Sequence, residues 1–144
     1  MLVDDSGLEP ELLGAAETAS AAHPLRDLES AWEGMTTVFD ADPQGRDRFL
    51  RVRRLMRDNP SLLAAGLESE ARLTQRIADA LQSGPDLDVL DAHAVAETFA
   101  LGMRLTFDEW VRRSDDGPAA QAPSLHDIYG RVRSALARAT GAGR

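Results

Sequence analysis

Residues 48–81 read RFLRVRRLMRDNPSLLAAGLESEARLTQRIADAL, and residues 91–111, beyond a Gly/Pro break, read DAHAVAETFALGMRLTFDEWV. Apolar side chains recur in both stretches at helical spacing. In the first, the residue before a proline avoids α geometry, so one helix stops near Asp58. Asn59 then caps the next, with Pro60 at its first position, where a missing N–H costs nothing. In the second, at about 100° per residue, Val95, Phe99, Gly102, Met103, Thr106 and Trp110 share one face. Ala94, Thr98, Leu101 and Leu105 occupy a second face rotated well away from it, and only a narrow wedge with Glu97, Arg104 and Asp108 is polar. A helix apolar most of the way round must be covered on two sides. A domain this small covers one side with its own core, so the other calls for a partner.

The pattern extends outward in both directions. It predicts a first helix from Glu9 to Ala21 and a second from Pro24 to Asp40, the latter with Leu25, Leu28, Trp32, Met35 and Phe39 on one stripe. Asp42-Pro43-Gln44-Gly45 reads as a break, followed by a third helix from Arg46 to Asp58. The fourth runs to about Gly84-Pro85 and the fifth from Asp88 to Arg113. SDDGPAAQAP, 114–123, reads as a flexible surface loop. Ser124 and Asp127 then open a last helix carrying Leu125, Ile128, Tyr129, Val132, Leu136 and Ala139. Strand-like alternation never persists. The expectation is one all-α domain over 1–144, of about six helices.

Composition narrows the function. No apolar run approaches the roughly 18 residues a membrane span needs, and the first residues lack a basic-then-apolar signal pattern, so the reading is cytoplasmic, with no membrane partner. There is no cysteine, hence no disulfide, thiolate metal site or thiol nucleophile. All 16 basic residues are arginine, which with the abundant alanine reads as a GC-rich coding bias. Against 24 acidic residues they leave a net charge of −8, which opposes binding of duplex DNA by this chain alone.

The Arg-rich third helix closed by Asn59-Pro60, the fourth helix starting at Ser61 and the long helix ending in Trp110 together resemble the C-terminal regulatory domain of TetR-type transcriptional regulators. The opening MLVDDSGLEPELLGAAETASAAHPLRDLESAW resembles the segment that follows the DNA-binding module in the mycofactocin-regulator-like subgroup. The resemblance implies a ligand-binding bundle whose last two helices form a four-helix interface with a second copy. It also implies a helix-turn-helix unit that reads DNA, which has no counterpart in this chain. Met1 then reads as the start of an excised domain, and DNA as a partner only through that missing N-terminal domain.

Two sets of residues follow. Homodimerisation, which the two-faced fifth helix supports independently, falls on Ala94, Thr98, Leu101 and Leu105 with Val132 and Leu136; small residues there permit close approach. Packing of this face on the last helix of the same subunit is the plainer alternative. The resemblance further implies a pocket for a small hydrophobic or amphipathic effector, an acyl thioester among the candidates, lined by Trp32, Met35, Phe39, Met56, Phe99, Met103 and Trp110. Ordinary core packing gives the same periodicity. Of six arginines between Arg46 and Arg57, Arg53 lies nearest the apolar stripe and is the candidate to meet an anionic ligand head; ion pairs and solvated faces account for the others. His23, His93 and His126 lack the spacing of a metal site, and no catalytic constellation stands out, so no cofactor, metal or catalytic residue is assigned. A small helical metal-dependent or acid/base enzyme and a ligand-free dimerisation module remain the rival readings.

Overall fold

The computed structural model describes residues 8–115 and 123–141. Those residues form six helices: α1 (Leu8–Glu17), α2 (Pro24–Asp40), α3 (Pro43–Asp58), α4 (Pro60–Ser83), α5 (Val89–Ser114) and α6 (Leu125–Thr140). None of them is long and apolar enough to cross a membrane. Helix α5 is central, with α2, α3, α4 and α6 packed around it, while α1 closes over α2 and α4.

Local chemistry sets the helix starts. The Asn59 side chain accepts hydrogen bonds from the N–H groups of Ser61 and Leu62, Asp88 from that of Asp91, and Ser124 from that of Asp127. Each satisfies donors that the first turn leaves without a partner. Gly141 ends α6 in the left-handed region, at φ 73°.

Three boundaries differ from the sequence reading. Helix α1 ends at Glu17 rather than Ala21, because side chains take over the backbone donors beyond it: Asp27 accepts from Ser20 N–H at 2.7 Å and the Ser20 hydroxyl from His23 N–H at 2.9 Å. Helix α3 starts at Pro43 rather than Arg46. Pro43 occupies a first-turn position that needs no N–H and the Asp42 carboxylate caps Gly45 N–H, so the break shrinks to Ala41 and Asp42. Ser114 belongs to α5; of the predicted loop, 116–122 lie outside the described residues.

The core has two parts. Around α1, α4 and the first half of α5 it consists of aliphatic and small residues, among them Leu12, Ala16, Ile77, Leu81, Ala92 and Ala96. Here α1 runs so close to the α4–α5 turn that a Cβ at Gly84 would overlap the Glu17 backbone carbonyl. Toward the other end the core is aromatic. Trp32 meets Phe107 and Tyr129 edge-on at 5.5 and 6.2 Å, and Phe39 meets Phe49 and Trp110 at 5.6 and 5.5 Å. These are favoured aromatic geometries.

Helix α6 is fixed from a distance. Asp40, the last residue of α2, accepts from Leu125 N–H at 2.7 Å and His126 N–H at 3.1 Å. With Ser124 it satisfies the first three donors of α6. The Trp110 indole N–H donates to the Pro123 carbonyl at 3.1 Å, tying the same entrance to α5.

Candidate functional site: an arginine-floored cleft and an uncovered helix face

A cleft of about 360 Å³ opens between α4 and α5, with Leu8 and Glu9 of α1 at one end and Arg53 of α3 at the other. Its volume falls at the small end of the range for ligand pockets. Leu67, Leu73, Ile77, Phe99, Met103 and Phe107 give it an apolar lining, and Glu70, Arg72, Arg76, Glu97 and Arg104 bring charge to it. Of the eight residues assigned to a ligand from sequence, Arg53, Phe99 and Met103 line this cleft. Trp32, Phe39 and Trp110 belong to the aromatic core, Met56 is buried, and Met35 packs against the core from its edge. Those five supply core packing, the reading that the same periodicity left open.

The α4 wall was missed. Leu67, Glu70, Thr74 and Ile77 follow helical spacing along one face of α4, and that spacing is the signal that would have found them.

Arg53 is held tightly for an arginine. Its side chain is 12% exposed, its guanidinium carbon lies 4.5 Å from the Phe107 ring centroid and 5.3 Å from that of Phe49, and its Nη1 donates to Glu70 Oε1 at 3.2 Å. Cation–π contact and the ion pair together offset its desolvation. One donor remains over: Arg53 Nε is buried without an acceptor, and an unmade bond of that kind costs about 1–3 kcal/mol.

The remaining arginines of α3 do not gather here. Arg54 and Arg57 turn to the far end of α5, where Arg54 Nη2 reaches Asp115 Oδ1 at 2.7 Å and Arg57 Nη1 reaches Oδ2 at 2.7 Å. Hydrogen bonds from Arg57, then Arg54, hold the Asp115 carboxyl below the usual carboxylate range, and the same contacts raise Arg57. Arg53, Arg54 and Arg57 thus serve two separate places on one helix.

The second predicted face of α5 is uncovered. Ala94, Thr98 and Leu105 are exposed and Leu101 is half-buried. Leu90, 76% exposed and on the same stripe, extends the line by one turn toward the helix start. The α6 half of the predicted interface differs. Val132 is buried and Leu136 packs against the core of its own chain, because these residues continue the inward stripe of Leu125, Ile128 and Tyr129. The outward face of α6 instead carries Gly130, Arg131, Ser134, Ala135 and Arg138. A groove between this face and α5 runs past Leu105, Asp108 and Glu109. Hydrogen bonds from Arg112 and Arg113 hold the Glu109 carboxyl down at about 2.

Other titratable groups are structural. Tyr129 donates to Glu29 Oε2 at 3.0 Å, and burial beside that carboxylate pushes its phenol well up. His93 Nδ1 lies 2.8 Å from the Val89 carbonyl of its own helix, His23 precedes α2, and His126 opens α6. Among the described residues no three His, Asp or Glu side chains converge as a metal site.

Comparison of the chain with family models, with curated proteins and with solved structures returned no match.

Proposed function

We propose that this chain is the effector-binding and homodimerisation domain of a TetR-type transcriptional regulator, acting in the cytoplasm. The observation that carries the reading is that α5 works on two sides. Phe99, Met103 and Phe107 form one wall of the cleft, while Leu90, Ala94, Leu101 and Leu105 form an apolar stripe outside it. A second copy of the chain covers that stripe, because a self-complementary helix face closes into a two-fold dimer.

A ligand entering the cleft then acts on the same helix that meets the partner. It shifts the helix arrangement by as much as its affinity differs between the two arrangements, and no more. In a longer parent protein, a helix-turn-helix unit would feel that shift and release DNA. This chain's own charge of −8 leaves DNA contact to that unit.

Sedimentation velocity at micromolar concentration tests the dimer. Wild-type chain should sediment at twice the 15.6 kDa monomer, and Leu101→Glu/Leu105→Glu as the monomer, since buried unpaired carboxylates are costly. A monomeric wild-type chain refutes it. The packed aromatic core favours one other reading, a dimerisation module without ligand, which a broad ligand screen separates by leaving the melting temperature unmoved.

A further inference from the structure

The two halves of the Arg53–Glu70 pair are unequal. Arg53 is fixed against Phe49 and Phe107 and is 12% exposed, whereas the Glu70 side chain is 30% exposed and meets it through Nη1 alone. Arg53 Nε, meanwhile, has no acceptor. The arginine is packed between two rings and keeps one donor without an acceptor; the glutamate is held by one bond and has water to turn to.

We propose that the cleft binds a monocarboxylate with an apolar tail, and that Glu70 is the internal competitor this ligand displaces from Arg53. The proposal rests on the ligand-binding reading above. A guanidinium pairs best with a carboxylate through two parallel N–H donors, which Glu70, tethered to α4, does not engage. A free carboxylate is under no such constraint and can bridge Nη1 and Nη2, which requires Glu70 to leave Nη1. Leu73, Ile77, Phe99 and Met103 then receive the tail. At about 30 Å³ per water-sized group, the 360 Å³ cleft holds roughly a dozen such groups, which suits a chain of eight to ten carbons. A phosphate dianion fits less well, because Arg53, Arg72, Arg76 and Arg104 against Glu9, Glu70 and Glu97 leave the lining one positive charge in excess, which a single carboxylate balances. Since Glu70 joins α4 to α3, the exchange also loosens α4 at the wall of the site, which couples occupancy to helix position.

The test uses the full chain with sodium decanoate and, as a neutral probe with the same tail, 1-decanol, titrated by calorimetry and tryptophan fluorescence. Wild-type chain should bind decanoate, and Glu70→Gln should bind it about tenfold tighter because the competing charge is gone. Arg53→Lys, which keeps the charge but loses the planar fork, should weaken decanoate about tenfold, with decanol unchanged in both variants. Should Arg53→Lys fail to fold by circular dichroism, Glu70→Gln decides alone, since it changes a partly exposed side chain. Decanoate bound no tighter by Glu70→Gln than by wild type overturns the competitor role and leaves the cleft a ligand site. Binding of neither probe to any form overturns the monocarboxylate proposal, while the ligand-binding reading falls only if the broad screen also leaves the melting temperature unmoved.

Discussion

Replacing Asp40 by alanine removes a cap that one helix supplies to another. Its carboxylate accepts from Leu125 N–H at 2.7 Å and His126 N–H at 3.1 Å, across 85 and 86 residues of chain, at the positive end of the α6 dipole. Loss of an N-cap side chain costs about 0.5–2 kcal/mol, and an acidic group at a helix start contributes about 0.3–1 kcal/mol more. Leu125 is 1% exposed, so water replaces the lost acceptor poorly and the upper part of that range applies. The expected cost is about 2 kcal/mol, which for a chain of this length lowers the melting temperature by about 6–8 °C. Asp40→Asn keeps an acceptor without the charge and should cost about half as much. Asp47→Ala, an exposed carboxylate on α3, serves as the control and should stay within about 0.5 kcal/mol. Urea unfolding followed by far-UV circular dichroism measures all three. A cost for Asp40→Ala no larger than that of the control would refute the idea that α2 anchors α6.

Two further substitutions probe the fold and the cleft. Gly84→Ala should destabilise by about 1–3 kcal/mol, since the new methyl meets the Glu17 backbone rather than a side chain that can swing aside; Gly34→Ala, with open space around it in the middle of α2, should stabilise by about 0.5–1 kcal/mol, and equal effects at the two sites would contradict the α1 placement. Met103→Trp should fill the cleft and abolish ligand-induced stabilisation while the chain still folds, so a variant that responds to ligand as the wild type does would place the ligand elsewhere.

Helix starts were legible because their causes are local. Asn59, Pro60, Asp88 and Ser124 act within three residues of themselves, so their meaning survives without tertiary information. Pro43 was misread for a related reason: proline breaks a helix interior but opens a first turn, and the Asp42 cap decides which. The inward stripes were legible as apolar, yet periodicity names the face that turns in and not what stands opposite it. Trp32, Phe39 and Trp110 therefore fitted a pocket lining and a packed core equally well, and Val132 and Leu136 fitted a partner as well as their own chain. Arg53 stood out by its place at the stripe's border. Its partner Glu70 and the Asp40 cap did not, because each depends on helices brought together from distant parts of the chain.

The proposed dimer on α5 is tested most directly by cross-linking, which the absence of cysteine makes clean. Single substitutions Ala94→Cys, Thr98→Cys and Leu101→Cys would be oxidised mildly at micromolar concentration, with Val38→Cys, 72% exposed on α2, as the control. Two copies related by a two-fold axis across the stripe bring at least one of the three residues within the roughly 4.4–6.8 Å Cα separation that a disulfide needs. We expect rapid interchain disulfide formation at one or more stripe positions and none beyond random collision at Val38→Cys; cross-linking at all three stripe positions no faster than at the control would contradict the account.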